Sequence, residues 1–289
     1  MPGLKAPIRY WEIDNEPDLK NAPGLGRRAR SGFSTPSQFA RVIVLTAAAI
    51  READPTAKIL QGGIGRPAQI HGYEYMQALF SSPDVREAVD ILSFHVYHRG
   101  PDVVNLESGI RRAQSVAKGK PVWLTEVSVP SVGKQMWISE EWQAEMVFRT
   151  AITALRLGTE KLFWHTLVDP PTRIAAAARS GSSSNSFFAR QEDGSLREKL
   201  SAKAFSILAE VLEDVDWSTV HGVSVDGGRG VALGQKGWLI YGETDWVSVK
   251  GLQFSSAQNL FTGDSVELKP KSEGRIAVFT NEETVWLKP

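Results

Sequence analysis

From Ile8 to about Glu213, short β-type runs alternate with amphipathic helical stretches, and no β run directly follows another. A chain of that pattern pairs its strands in parallel, because each helix carries the chain back across the sheet. The β runs are Ile8–Ile13, Lys58–Gln61, Asp90–Val96, Pro121–Thr125 and Lys161–Thr166. The first four start about thirty or more residues apart, the size of a βαβ unit. The reading is α/β, with five βα units.

The helices carry their own signals. Thr35-Pro36-Ser37-Gln38 is a capping box with proline at the first helical position, and Phe39, Val42, Ile43, Ala47 and Ile50 then share one face. Further helices are expected at about Gly72–Phe80 and Asn105–Ala117. Another opens at Ser139, with Glu140 and Glu141 at the positive end of its dipole and a stripe of Ala144, Val147, Phe148, Ala151 and Leu155. Ser195-Leu196-Arg197-Glu198 reads as the cap of a last helix, with Leu200, Ala204, Ile207, Leu208 and Val211 inward. Between these lie a polar stretch through Ser34, a tight Gly62-Gly63-Ile64-Gly65 loop and an Ala/Ser-rich loop at about Asp169–Asn185.

From about Val215 short strands separated by Gly, Asp and Asn turns replace the helices. They are Gly230–Ala232, Trp238–Tyr241, Trp246–Val249, Val266–Lys269, Arg275–Phe279 and Thr284–Leu287, the pattern of a small antiparallel sandwich. The expected division is 1–214 for the α/β domain and 215–289 for the β-sandwich domain.

Composition excludes several functions. With 33 basic and 33 acidic residues the formal charge is zero, which favours neither nucleic acid nor an anionic membrane. The absence of cysteine removes disulfides and thiolate metal sites. The most apolar run, Val42–Ile50, is too short to span a bilayer. The chain reads as soluble; no signal peptide is visible, and its compartment stays open, with secretion or the periplasm expected if a segment precedes Met1. Neither a phosphate-binding Gly-x-x-x-x-Gly-Lys loop nor a Gly-x-Ser-x-Gly elbow is present. Nine tryptophans serve either as core or as sugar-stacking platforms.

Two β runs end in glutamate: Tyr-Trp-Glu-Ile-Asp-Asn-Glu-Pro at 10–17 and Pro-Val-Trp-Leu-Thr-Glu at 121–126. A pair of carboxyl groups at strand ends is what retaining glycoside hydrolysis needs: an acid at the leaving oxygen and an ionised nucleophile on the other face of the sugar. The pair resembles the catalytic motifs of the clan A glycoside hydrolases, which are (β/α)8 TIM barrels with Asn-Glu closing strand four and a second glutamate closing strand seven. The resemblance makes the five strands numbers four to eight of a barrel and the C-terminal segment its accessory β domain. It implies Glu16 as acid/base, Glu126 as nucleophile and Asn15 as partner of the sugar 2-hydroxyl. It also implies His95 and Tyr97 at the substrate subsite, the tyrosine hydroxyl on the nucleophile, and Trp164 as an aromatic floor. The segment Ser186–Gly194 resembles the turn before the last barrel helix. No cofactor is implied.

Each residue has a plainer reading. Asn15-Glu16-Pro17 is then a solvated turn, Glu126 a surface strand-end residue, His95 a histidine satisfied by backbone, and Trp164 ordinary packing. His95 and His98 are three apart, a spacing that suits a helix better than a strand for metal binding. The resemblance leaves strands one to three unaccounted for. The expectations are a piece of a longer enzyme, a barrel completed by self-association or a partner chain, or an open form. The function read from the residues is a retaining glycosidase acting on a β-linked oligo- or polysaccharide. The alternatives are a non-catalytic carbohydrate-binding barrel remnant and a transglycosylase using the same site.

Overall fold

A computed structural model describes residues 8–19, 35–98, 100, 102–131, 138–168, 184–250 and 254–289. The polar stretch up to Ser34 and most of the Ala/Ser-rich stretch before Asn185 fall outside the described residues. The chain forms two compact units. One takes Met1–Tyr97, Val104–Val127 and Thr159–Phe163; the other takes His98–Val103, Ser128–Gly158 and Trp164–Pro289.

The first unit is built on β1 (Tyr10–Asn15), β2 (Lys58–Gly63), β3 (Leu92–Tyr97), β4 (Val122–Ser128) and β5 (Lys161–Trp164). β1 and β2 are parallel, with Tyr10 opposite Lys58 and Asn15 opposite Gly63. Parallel bridges Leu60–Ile91 and Ile64–Phe94 join β2 to β3, and β3, β4 and β5 follow in order. The strands therefore neighbour one another in chain order, the commonest arrangement for consecutive strands. Among the described residues β1 has a strand partner on one side only.

Helices α1 (Pro36–Ala53), α2 (Ile70–Ser81), α3 (Pro83–Ala88) and α4 (Val104–Ala117) complete this unit. Thr35 caps α1 as the sequence predicts, its hydroxyl accepting from the Gln38 amide at 3.2 Å. Phe39, Ile43 and Ala47 are buried, while Val42 and Ile50 are half-buried. The short α3 was not expected; Ser82 caps it and Pro83 starts it.

In the second unit, α5 (Glu140–Arg156) is capped by Ser139, whose hydroxyl accepts from the Trp142 amide at 3.1 Å. Its buried surface is much wider than the expected stripe. From Gln143 to Ala154 every residue except Glu145 is fully buried, because α6 (Leu200–Leu212), β8 (Val220–Val223) and β10 (Gly228–Leu233) all pack on it. Ser195–Glu198 does not cap α6. Leu196–Glu198 is strand β7, antiparallel to β6 (Phe188–Arg190), and the helix starts at Leu200 after Lys199. The Asp193-Gly194 turn explains the difference: Gly194 takes φ +85°, and Asp193 Oδ1 accepts both the amide and the hydroxyl of Ser195. Two strands therefore do follow one another here, a break in the βα alternation.

The remaining strands form two antiparallel sheets. One orders β13 (Ser256–Asn259), β16 (Thr284–Lys288), β11 (Trp238–Gly242), β10 and β8. The other orders β14 (Leu268–Lys271), β15 (Arg275–Phe279), β12 (Trp246–Lys250) and β9 (Val225–Asp226). Ile240, Ala257, Val285 and Leu287 from the first meet Val225, Val247, Val249 and Val278 from the second in a common core. Alternation places them: along β16, Val285 and Leu287 point in, while Trp286 points out and donates its indole N–H to the Lys236 carbonyl at 2.7 Å. This is the expected sandwich, with β8, β9 and β13 added to the strands read from sequence.

Candidate active site

Glu16 sits one residue past β1, with φ +50°, after Asp14 at φ +67°. Two anchors hold this uncommon backbone. The Glu16 amide donates to the Gly63 carbonyl at 3.0 Å. Asp18, 1% exposed, accepts the amides of Gly65 at 2.8 Å and Arg66 at 3.2 Å, and its backbone carbonyl meets His71 Nε2 at 2.8 Å. Burial raises the proton affinity of the Asp18 carboxyl, and its two amide donors oppose that rise.

The glycines after β2 make the room. A Cβ on Gly62 would meet the Ile13 carbonyl oxygen at 2.6 Å, and one on Gly65 would meet Glu16 Oε1 at 3.0 Å. The pair Gly62-Gly63 is part of the strand rather than a rim loop.

His95, Tyr97 and Glu126 converge on Glu16. His95 is 1% exposed, and its Nδ1 lies 3.2 Å from Glu16 Oε1 and 3.6 Å from Glu126 Oε2. The Tyr97 hydroxyl donates to Glu126 Oε2. One ligand-type atom each of Glu16, His95 and Glu126 lies within 4.8 Å of the others. Burial works against a charge on His95, but the Glu16 hydrogen bond and the carboxylates of Glu126, Glu16 and Glu12 outweigh it and hold its pKa above the usual histidine value. The same three side chains could offer a cation one atom each.

The other expected residues fall elsewhere. Asn15 is exposed, and its amide donates to Asp14 Oδ1 at 2.7 Å. Trp164, the last residue of β5, falls in the second unit, just past the division at Phe163. There it stacks on Phe187, with centroids 5.4 Å apart and planes at 13°, and donates Nε1–H to the Asn185 carbonyl at 3.1 Å. His98 is also in the second unit, buried with its Nε2 3.2 Å from Thr150 Oγ1.

Several contributors were not placed at the site from sequence, although Gly63 and Gly65 were read as part of a tight loop. Gly63, Gly65 and Asp18 shape the Glu16 loop. Gln61 and Ser93, both fully buried, stitch β2 to β3: Gln61 Nε2 donates to the Ser93 carbonyl at 2.5 Å, and the Ser93 amide donates to Gln61 Oε1 at 3.1 Å. Glu12 faces Thr125 across the sheet at 3.0 Å. A polar residue inside a buried strand and a glycine pair at a strand end were the available signals.

The glycosyl hydrolase catalytic core family model matches residues 13–168, more than half of the 289 residues and a span that includes both glutamates. The chain belongs to that family. A comparison with curated proteins found none that matches. Among solved structures, this family member is similar to a family 39 glycoside hydrolase from the gut symbiont Bacteroides cellulosilyticus WH2, at 15% identity and TM-score 0.66. That alignment covers 96% of this chain and 58% of the other. A family 51 α-L-arabinofuranosidase from Bifidobacterium longum aligns at 12% identity and TM-score 0.58, covering 97% of this chain and 66% of that one. The Thermotoga maritima α-L-arabinofuranosidase, solved as an arabinose complex, gives 13% identity, TM-score 0.56, and coverage of 96% and 65%. These likenesses bear out the α/β barrel-type fold with an added β domain. The glycosyl hydrolase chain thus spans about three-fifths of the length of these structures.

Proposed function

We propose that this chain carries the two-glutamate centre of a retaining glycosidase acting on a β-linked oligo- or polysaccharide. The supporting observation is the approach of a Glu16 oxygen and a Glu126 oxygen to within 4.8 Å, with His95 between them. Retaining pairs stand about 5–5.5 Å apart and inverting pairs about 6.5 Å or more. In this reading Glu126 attacks the anomeric carbon while Glu16 gives its proton to the leaving oxygen. A glycosyl ester on Glu126 results. Glu16, now ionised, takes a proton from water, whose oxygen attacks the same carbon and releases Glu126. Tyr97 orients the nucleophile, and His95 holds both carboxyl groups in place. Asn15 is proposed to bind the sugar 2-hydroxyl, and Trp164 to offer an aromatic surface to sugar. The division into a 1–214 catalytic domain and a 215–289 accessory domain belongs to the same proposal.

The test is a panel of 2-fluoro glycosides, intact mass and peptide mapping. An adduct on Glu126, absent in Glu126→Gln, is expected. Folded protein without an adduct across mono- and oligosaccharide reagents overturns the catalytic reading and favours a carbohydrate-binding role.

A second proposal concerns assembly. The sheet face that carries Trp123 leaves Tyr10 and Phe163 each 47% exposed, and Tyr10 lies on the singly paired strand β1. Self-association or a partner chain would cover this face. Sedimentation equilibrium should show a dimer that Tyr10→Ser weakens; a monomer at all concentrations removes self-association.

A further inference from the structure

The backbone beyond Glu16 closes into a single 3-10 turn, Pro17–Leu19, with the Leu19 amide donating to the Glu16 carbonyl at 3.1 Å. Asp18, the middle residue of that turn, is buried and tied twice. Its side chain accepts the Gly65 amide on Oδ1 at 2.8 Å and the Arg66 amide on Oδ2 at 3.2 Å. Its backbone carbonyl meets His71 Nε2 at 2.8 Å; a carbonyl only accepts, so Nε2 carries the hydrogen. We propose that Asp18 is a positioning residue for Glu16, a clamp that fixes the acid/base and not the nucleophile. The catalytic part of this rests on the two-glutamate reading.

The far side of the clamp is itself braced. The Gln69 amide closes a turn on the Arg66 carbonyl at 3.0 Å. Gly72 lets α2 lie against that turn, since a Cβ there would fall 2.1 Å from the Arg66 carbonyl oxygen. Gly65, whose amide Asp18 holds, is a wall for the Glu16 carboxyl: a Cβ on it would stand 3.0 Å from Glu16 Oε1. Asp18 thus reaches Glu16 by two routes, through the main chain of the turn and through Gly65. Both act on a stretch where Asp14 and Glu16 take positive φ, a conformation that non-glycine residues rarely hold unaided. Glu126 lies on β4, between β3 and β5, and none of the groups bonded to Asp18 belongs to those strands. In the first step the bond to Glu126 forms as the bond to the leaving oxygen breaks, and the Glu16 proton goes to that oxygen. A displaced Glu16 therefore costs most when the leaving group needs its proton most.

The experiment compares kcat/KM for the dinitrophenyl and phenyl glycosides of the sugar that labels Glu126, in wild type, Asp18→Asn and Asp18→Ala. Dinitrophenolate leaves without a proton and phenolate needs one, so the ratio of the two isolates the work of Glu16. The phenyl-to-dinitrophenyl ratio should fall about tenfold or more in Asp18→Ala. It should fall less in Asp18→Asn, which keeps one accepting oxygen and which carries the test if the alanine variant does not fold. Equal slowing on both substrates with cooperative melting retained, or no slowing on either, overturns the proposal. Native-state hydrogen exchange reads the clamp directly: the Gly65 and Arg66 amides should exchange faster in the variants, and unchanged protection overturns it. If wild type cleaves neither glycoside and takes no label, the two-glutamate reading fails, and the exchange rates alone decide the clamp.

Discussion

A Cβ on Gly63 would lie 2.0 Å from His95 Nε2. The imidazole from β3 occupies the volume that any other residue on β2 would need, and this pins Nδ1 toward Glu16 and Glu126. The glycine is thus part of the architecture of the proposed site although it has no chemistry of its own.

Gly63→Ala should therefore displace His95. Overpacking of this kind costs about 1–3 kcal/mol of stability. The His95 titration midpoint, read by NMR and raised in the wild type, should fall as the Glu16 bond is lost. Glu126 labelling should slow by about tenfold or more. An unmoved His95 titration would show that the ring has room to relax.

Tyr97→Phe removes the donor to Glu126 Oε2 without changing packing volume. A hydrogen bond to a charged group is worth about 1.5–3 kcal/mol, so labelling of Glu126 should slow roughly 10- to 100-fold. Stability should hardly change. A labelling rate equal to that of wild type would show that the hydroxyl does not orient the proposed nucleophile.

His98 gives the second unit a pH response. It is 3% exposed and accepts or donates to Thr150 Oγ1 at 3.2 Å; burial pushes its pKa down to about 4 from 6.5. In the unfolded chain it binds a proton below about pH 6.5, while in the folded chain it does not until about pH 4. Its contribution to stability is thus full above pH 6.5 and is lost as pH falls toward 4, by up to about 3 kcal/mol at 1.36 kcal/mol per unit. Urea midpoints at pH 7 and pH 4.5 should converge in His98→Gln relative to wild type. Equal acid sensitivity in both would assign the loss to other groups.

Arg149 and Glu145 form a largely buried pair on α5, Nε to Oε1 at 2.9 Å, with Glu145 the more exposed partner. The guanidinium also donates to the Glu282 carbonyl and lies 5.0 Å from the ring centres of Trp142 and of Tyr241. Glu145 accepts the Thr284 hydroxyl at 2.7 Å and its amide at 3.2 Å. Arg149→Met leaves a buried carboxylate without its cation, at a cost of about 3–5 kcal/mol. Adding Glu145→Gln should recover part of that loss. A double variant no more stable than the single would place the cost in lost aromatic packing instead.

The sequence carried the order of elements and the core of the site. Strand and helix periods survive because the same apolar faces that define them are the ones buried. Glu16, His95, Tyr97 and Glu126 converge as expected because parallel strands place their C-terminal ends side by side. The hairpin at Phe188–Glu198 was misread because Ser-x-x-Glu is ambiguous: the serine hydroxyl went to Asp193 rather than to a helix amide. β8, β9 and β13 were missed because two are short and Ser256–Asn259 is mostly polar, ordered by pairing with β16 rather than by its own pattern. Gly63 was read only as part of a tight loop and Asp18 was not noted, because their roles depend on neighbours from other parts of the chain.

The nearly enclosed α5 has a consequence for how this chain tolerates change. Along most of its length it offers no solvent side on which drift is harmless, although it holds none of the proposed catalytic residues. In a saturation library scored for folded protein, charged codons should be depleted around α5 almost as uniformly as at Glu16 and Glu126 in a library scored for turnover. A map of intolerance alone would mark this helix as a second active site; comparing the two scores would tell a keystone from a catalyst.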